Sequence, residues 1–259
     1  DWHDAGFSLE QIRDAFDGLI IVWVALEKTD NAQQIFESIN STGEPLTAAD
    51  LIRNFLLMNK DDDEQTDIYR LYWKKIEENV FPAYESTSRK KVSKKIEEFL
   101  RFYLSSKLYV LVNVDQVYSQ FKESWTTWKT VITESTLLNE LVAYSKYWNR
   151  LFNDPDIKDE MADPIKTLRR IDSNMPTPFL FGVLQLAEKE VIKTDTVAKT
   201  ITLINTYLIR RHMNGLDTSS ITRMFPSLLK LVIEKSEAIG YENFIEIVKY
   251  YLVNAHVGD

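Results

Sequence analysis

The chain has no cysteine, which excludes disulfides, thiolate zinc sites and cysteine nucleophiles. Histidine is nearly as scarce. His3, His212 and His256 stand far apart, a poor basis for a multi-histidine metal site. Glycine and proline number seven each among 259 residues, less than half of the roughly 12% that average usage would give. So few turn formers disfavour a sandwich or barrel and favour long helices joined by short loops. Long apolar runs are also missing. The longest, Leu19 to Leu26, has eight residues, well short of the roughly 18 that span a bilayer. No charged-then-apolar leader opens the sequence. The expectation is a chain with no membrane partner, at home in the cytoplasm. Its first residue is Asp1 rather than Met, so an internal piece of a longer protein is expected. Walker loops, G-x-S-x-G elbows, H-E-x-x-H helices and Rossmann fingerprints are all absent.

What remains is ordinary globular material. Apolar residues make up 44%, enough for a substantial core. Basic residues number 31 and acidic residues 39, for a net charge of −8. That balance opposes a protein that grips nucleic acid over its whole surface, since phosphate binding needs local positive charge. A local basic face stays open.

Hydrophobic spacing predicts a mainly α fold, a multi-helix array of roughly ten helices with one N-terminal strand. Residues 1–17 read as a short helical or irregular lead-in. The strand is placed at residues 19–26, β-branched, aromatic and apolar on both faces. A helix follows from Asp30, with Gln33 as its capping-box mate, to about Asn40. Ser41 to Pro45 form a tight turn, and Thr47 caps the next helix with Asp50 near its positive end. Leu51, Ile52, Phe55 and Leu56 are its expected stripe. Asp61 to Glu64 read as a solvated loop and helix cap, because they lack the alternate ligands and central glycine of a calcium loop. Pro226 is expected to break or kink a helix near the C-terminus. The expected division is residues 1–60 and 61–259.

The most basic stretch is Arg89 to Lys107, with seven basic residues against Glu97 and Glu98. Val92, Ile96, Phe99, Leu100, Tyr103 and Leu104 share one helical face. Lys90, Lys94 and Arg101 fall roughly opposite. They form either an ordinary solvated face or a contact for DNA phosphate. Arg210 and Arg211, near the end of a later helix, carry the same two readings: complement to the helix dipole, or DNA contact.

One segment goes further. Residues 35–47, Ile-Phe-Glu-Ser-Ile-Asn-Ser-Thr-Gly-Glu-Pro-Leu-Thr, followed by Asp50-Leu51-Ile52-Arg53-Asn54, resemble the F-x-x-(L/I)-N-x-x-G-x-x-L motif of the N-terminal domain in GmrSD-type restriction enzymes. Trp73 in an aromatic helix, the basic helix leading into Phe99 to Leu104, and Leu208 to Arg211 before Gly215 fit the same family's helical region. The resemblance implies a ParB-like α+β core, of which the strand and residues 1–60 would be the C-terminal remnant. It further implies a nucleotide-hydrolysing N-terminal domain and a C-terminal HNH nuclease that cuts foreign, often modified, DNA.

By this resemblance Phe36, Asn40, Gly43 and Leu46 belong to nucleotide binding or domain coupling. Asn40 and Gly43 equally suit plain turn chemistry, and Phe36 and Leu46 are expected to clamp the turn as core residues. The family's upstream D-G-Q-Q-R motif and the paired histidines of HNH are not in these residues. The expectation is therefore a non-catalytic middle segment, with no catalytic residue, metal site or cofactor of its own. The parent would be an NTP-dependent DNA endonuclease using a nucleotide and a divalent metal, with DNA and the flanking domains as partners. The competing expectation is a helical interaction or scaffold module with no nucleic-acid role.

Overall fold

The computed structural model describes residues 7–20, 46–58, 60–83, 87–216 and 219–254. Among them 78% are helical, in eleven helices with no strand, so the mainly α expectation holds. Contacts divide the chain into two compact units, Asp1–Pro45 and Leu46–Asp259.

In the first unit, α1 covers Leu9–Asp17. Ser8 starts it with a reciprocal capping box. The Gln11 backbone N–H donates to Ser8 Oγ at 3.2 Å, and the Ser8 N–H donates to Gln11 Oε1 at 2.9 Å, which satisfies two otherwise orphaned donors. Of the expected strand at residues 19–26, Leu19 and Ile20 have no regular structure and are exposed. Residues 21–26 lie outside the described residues, as do the expected helix from Asp30 to Asn40 and the turn at 41–45.

The second unit begins with α2, Ala48–Leu57. Next, α3 runs as one continuous helix through Asp62–Ile68, a π segment at Tyr69–Trp73, and Lys74–Val80. Then follow α4 (Arg89–Leu108), α5 (Val117–Trp128), and α6 (Glu134–Trp148), which continues into a π segment at Asn149–Asn153. After them come α7 (Ala162–Ile171), α8 (Thr177–Glu188), α9 (Thr194–Met213), α10 (Ser219–Ile239) and α11 (Phe244–Asn254).

The local signals explain most starts and stops. Thr47 accepts the Asp50 N–H at 3.2 Å and Asp61 accepts the Glu64 N–H at 2.9 Å, each filling an orphan donor of the first turn. Asp61 is thus the expected cap, whereas residues 62–64, expected in a loop, form the first turn of α3. Pro178 sits in the first turn of α8, where its missing N–H costs nothing. At the end of α9, Gly215 takes φ 65°. The Gly215 N–H donates to the His212 carbonyl at 3.0 Å and the Leu216 N–H to the Arg211 carbonyl at 3.1 Å, a Schellman ending that needs a left-handed residue at that point.

Of the break or kink expected at Pro226, the break is corrected: helix α10 continues through it. Phe225, Leu228, Leu229 and Val232 on both sides of the proline are buried, and tertiary packing outweighs the loss of one backbone hydrogen bond.

Helix α4 is the hub. It packs against α2, α3, α5, α6, α8 and α10. Its expected stripe, from Val92 to Leu104, is fully buried. Phe99 meets Trp148 of α6 edge-on at 6.1 Å and Phe181 of α8 at 6.0 Å. Tyr103 meets Tyr144 at 5.0 Å, also edge-on. Such pairs add about 0.5–1.5 kcal/mol each beyond the area they bury. The C-terminal helices extend this core, with α9 on α7, α8 and α11, and α10 on α8 and α11. A Cβ on Gly182 would lie 2.5 Å from Leu229, so glycine is what allows α8 to approach α10 so closely.

Candidate functional site

The helix that follows the N-x-x-G motif is α2, and its first turn is bound to α4. Thr47 both caps that turn and donates to Asp50 Oδ2 at 2.7 Å. Ser93 of α4 donates to Asp50 Oδ1 at 3.0 Å. The Ala48 N–H donates to Glu97 Oε2 at 2.7 Å. Two carboxylates, Asp50 and Glu97, therefore sit at the positive end of α2, where an anion is stabilised by about 0.3–1 kcal/mol. Arg53 pairs with Asp50 at 3.3 Å.

One helical turn before Ser93, Arg89 enters a second polar cluster. Its guanidinium meets Glu77 of α3 at 2.7 Å. Glu77 is fully buried and also accepts from Trp73 Nε1 and the Tyr69 hydroxyl, each at 3.1 Å. A buried carboxylate without such partners would cost several kcal/mol. Burial, and then the charge of Glu77, raises the Tyr69 phenol above its ordinary value. Burial alone would depress Arg89, but its bond and attraction to Glu77 prevail and hold it above the usual guanidinium value. Tyr69 and Trp73 bound the π segment of α3.

Glu77 and Glu97 were not singled out in the sequence. A signal for Glu77 existed, because it continues the four-residue spacing of Tyr69 and Trp73. For Glu97 the signal was the polar line Arg89, Ser93, Glu97 beside the apolar stripe of α4.

The basic stretch meets a different fate from the expected open face. Arg89, Lys95 and Lys107 pair with Glu77, Glu98 and Glu140 at 2.7, 2.7 and 2.9 Å. Arg101 is half-buried and donates through Nε to the Val112 carbonyl at 2.7 Å. Burial lowers its basicity, and Glu98 only partly offsets this. Arg101 thus holds the turn after α4 and does not stand on a free phosphate-facing surface, because the chain reverses against it. Lys90, Lys91 and Lys94 are exposed.

Arg210 is exposed, whereas Arg211 is 92% buried beside Tyr207. Burial raises the Tyr207 phenol, and the charge and hydrogen bond of Arg211 oppose that rise. Both arginines line a groove of about 450 Å³ with Leu203, Tyr207, Lys249 and Leu252. The structure does not bring them to Lys90 and Lys94 in one shared site. Phe36, Asn40 and Gly43 lie outside the described residues. Leu46, expected in the core, is 37% exposed, because it precedes the cap of α2 and does not belong to the buried face of that helix. Among the described residues no group of three His, Asp or Glu side chains is placed to hold a metal ion, and no helix is long and apolar enough to cross a membrane.

The described residues form a mainly helical array, in which α2 follows residues 35–47 in the sequence. Residues 6–57 match the family model of the GmrSD restriction endonuclease, N-terminal domain, so this part of the chain is similar to that domain. The match ends at the last residue of α2. No curated protein and no solved structure matches the chain.

Proposed function

We propose that this chain is the middle segment of a GmrSD-like, modification-dependent restriction protein. It joins a nucleotide-hydrolysing N-terminal domain to a C-terminal HNH nuclease and holds neither catalytic centre. The observation that carries the reading is the link at the start of α2. The helix that closes the family match has its first backbone donor bound to Glu97 and its capping network bound to Ser93. A change on nucleotide binding in the domain that precedes α2 in the sequence would act on α2, and through Glu97 and Ser93 on the hub helix. The parent's nucleotide and divalent metal would be held elsewhere in the longer protein.

The test uses the full-length protein. Glu97→Ala should leave nucleotide hydrolysis intact and reduce nucleotide-dependent DNA cleavage by about tenfold, the equivalent of about 1.4 kcal/mol of coupling. Unchanged cleavage would count against coupling through this link. The 259-residue chain alone should show no ATP or GTP turnover above a blank. Turnover lost on mutating Asn40 would overturn that.

The second reading, a helical scaffold with no nucleic-acid role, is favoured by the internal pairing of Arg89, Lys95 and Lys107 and the anchoring of Arg101. A low-salt gel shift distinguishes them. If DNA is contacted, retention should be weak, steeply salt-dependent, and lost in Lys90→Glu/Lys94→Glu. Wild-type protein that shows no retention supports the scaffold.

A further inference from the structure

The π segment of α3 and the first turn of α4 share one buried carboxylate, and neither is favoured on local grounds. In the π segment the Lys74 N–H reaches back five residues to the Tyr69 carbonyl. Such turns are rare inside α-helices and recur at functional sites. Tyr69 and Trp73, the first and last residues of the segment, both donate to Glu77, whose side chain has no solvent exposure.

The start of α4 lacks what stabilises the starts of α2 and α3. Those helices have a side-chain capping bond and acidic residues in the first turn. At the start of α4, Ser88 makes no side-chain capping bond and the first turn holds no acidic residue. Arg89, Lys90 and Lys91 occupy it instead, which puts cations at the positive end of the helix dipole.

The negative charge comes from two other helices. Glu77 of α3 bonds Arg89 at 2.7 Å. Asp50 of α2 accepts from Ser93, one turn further along α4, at 3.0 Å, and its charge also acts on Arg89. The Arg89 side chain is 49% exposed, whereas Glu77 is shut in. The pair therefore opens from one side only: the guanidinium can swing into water and the carboxylate cannot follow. Glu77 would then keep only the neutral Tyr69 and Trp73 donors, a costly state for a buried charge.

We propose that the first turn of α4 is a strap, latched by Arg89 onto Glu77, that locks the π segment of α3 and stays closed only while Asp50 of α2 stands beside it. Withdrawal of α2 opens the strap, and opening lets water reach the Trp73–Glu77 bond. The device extends the α2 link to α3. Its test needs neither nucleotide nor DNA, so its failure and the failure of the coupling reading are separate results.

The experiment follows deuterium exchange of the Trp73 indole N–H in the 259-residue chain. The Trp148 indole, buried in the aromatic half of the core, serves as the internal reference. The two signals are assigned by their disappearance in Trp73→Phe and Trp148→Phe. Ser88→Asp gives α4 its own capping carboxylate and should slow Trp73 exchange about threefold or more, with Trp148 unchanged. Arg89→Met should speed it about tenfold or more. Asp50→Asn should also speed it, and by less when Ser88→Asp is present. If Ser88→Asp leaves Trp73 exchange unchanged, or slows Trp148 equally, no separate strap exists and the proposal fails. It fails too if Asp50→Asn leaves the Trp73 rate unchanged. Should Arg89→Met alter the fold, Ser88→Asp and Asp50→Asn decide without it.

Discussion

The two halves of α4 hold their neighbours by different means. Over its first turns Arg89, Ser93 and Glu97 reach α3 and α2 through discrete polar links. Over its later turns Phe99, Phe102 and Tyr103 sit among Trp148, Tyr144 and Phe181 with almost no solvent exposure. A polar link contributes about 1–2 kcal/mol and depends on direction. An aromatic cluster is collective, since each ring loses several partners at once when one is removed. The difference shows how one helix can be a fixed hub at one end and carry a breakable connection at the other.

The largest effect should come from breaking the aromatic half. Phe99→Ala removes the ring that touches both Trp148 and Phe181, and should cost about 3–5 kcal/mol in denaturant unfolding. A cost below that of Glu97→Ala would invert the comparison.

Alkaline pH should attack the same half without mutation. Burial, joined by Glu140, raises both the Tyr103 and the Tyr144 phenols far above their ordinary value. In the unfolded chain they ionise near pH 10. Their stabilising contribution is therefore complete below about pH 10 and falls as the pH rises above it, by about 1.4 kcal/mol per tyrosine for each further pH unit. Urea midpoints at pH 8 and 11 check the sign, and an unchanged midpoint would mean that these phenols ionise in the folded state.

The polar half should yield less. Glu97→Ala leaves the first N–H of α2 without its carboxylate and should cost about 1–2 kcal/mol. Hydrogen exchange should quicken in α2 and stay slow in α6 and α8. Uniform acceleration would show that the link is part of the core after all.

The smallest effect lies outside both halves. Glu190 ends α8 with φ 58°, and the Val191 N–H reaches the Leu186 carbonyl at 2.9 Å, the ending that Gly215 makes for α9. Glu190→Gly should relieve the left-handed strain and raise stability by about 0.5–1 kcal/mol, with no change in the pattern of exchange along α4.

Helix starts, stops and buried faces were legible because their causes are local. Thr47 and Asp61 mark the starts of α2 and α3, Gly215 closes α9, and the α6 stripe Leu137, Leu138, Leu141, Tyr144, Tyr147, Trp148 and Leu151 is buried as its spacing predicts. The GmrSD-type resemblance was legible at residues 35–54 for the same reason: a turn motif is a run of adjacent residues. Pro226 shows the limit, since propensity argued for a break or a kink and, with buried residues around it, the helix does not end there.

The fate of the charges was not legible. Lys90, Lys94 and Arg101 share a helical face in the sequence, yet Arg101 turns to the Val112 carbonyl while Lys90 and Lys94 face outward. Glu77 looks like any surface glutamate by type, yet it is fully buried and bound by Tyr69, Trp73 and Arg89. The sequence by itself determined where the helices run and which face of each is apolar, because backbone hydrogen bonding and hydrophobic spacing act within a few residues. Only the tertiary structure decided which charges meet, because a long side chain takes its partner from whatever helix is packed beside it, and that neighbour lies 74 residues away for Lys60 and Glu134.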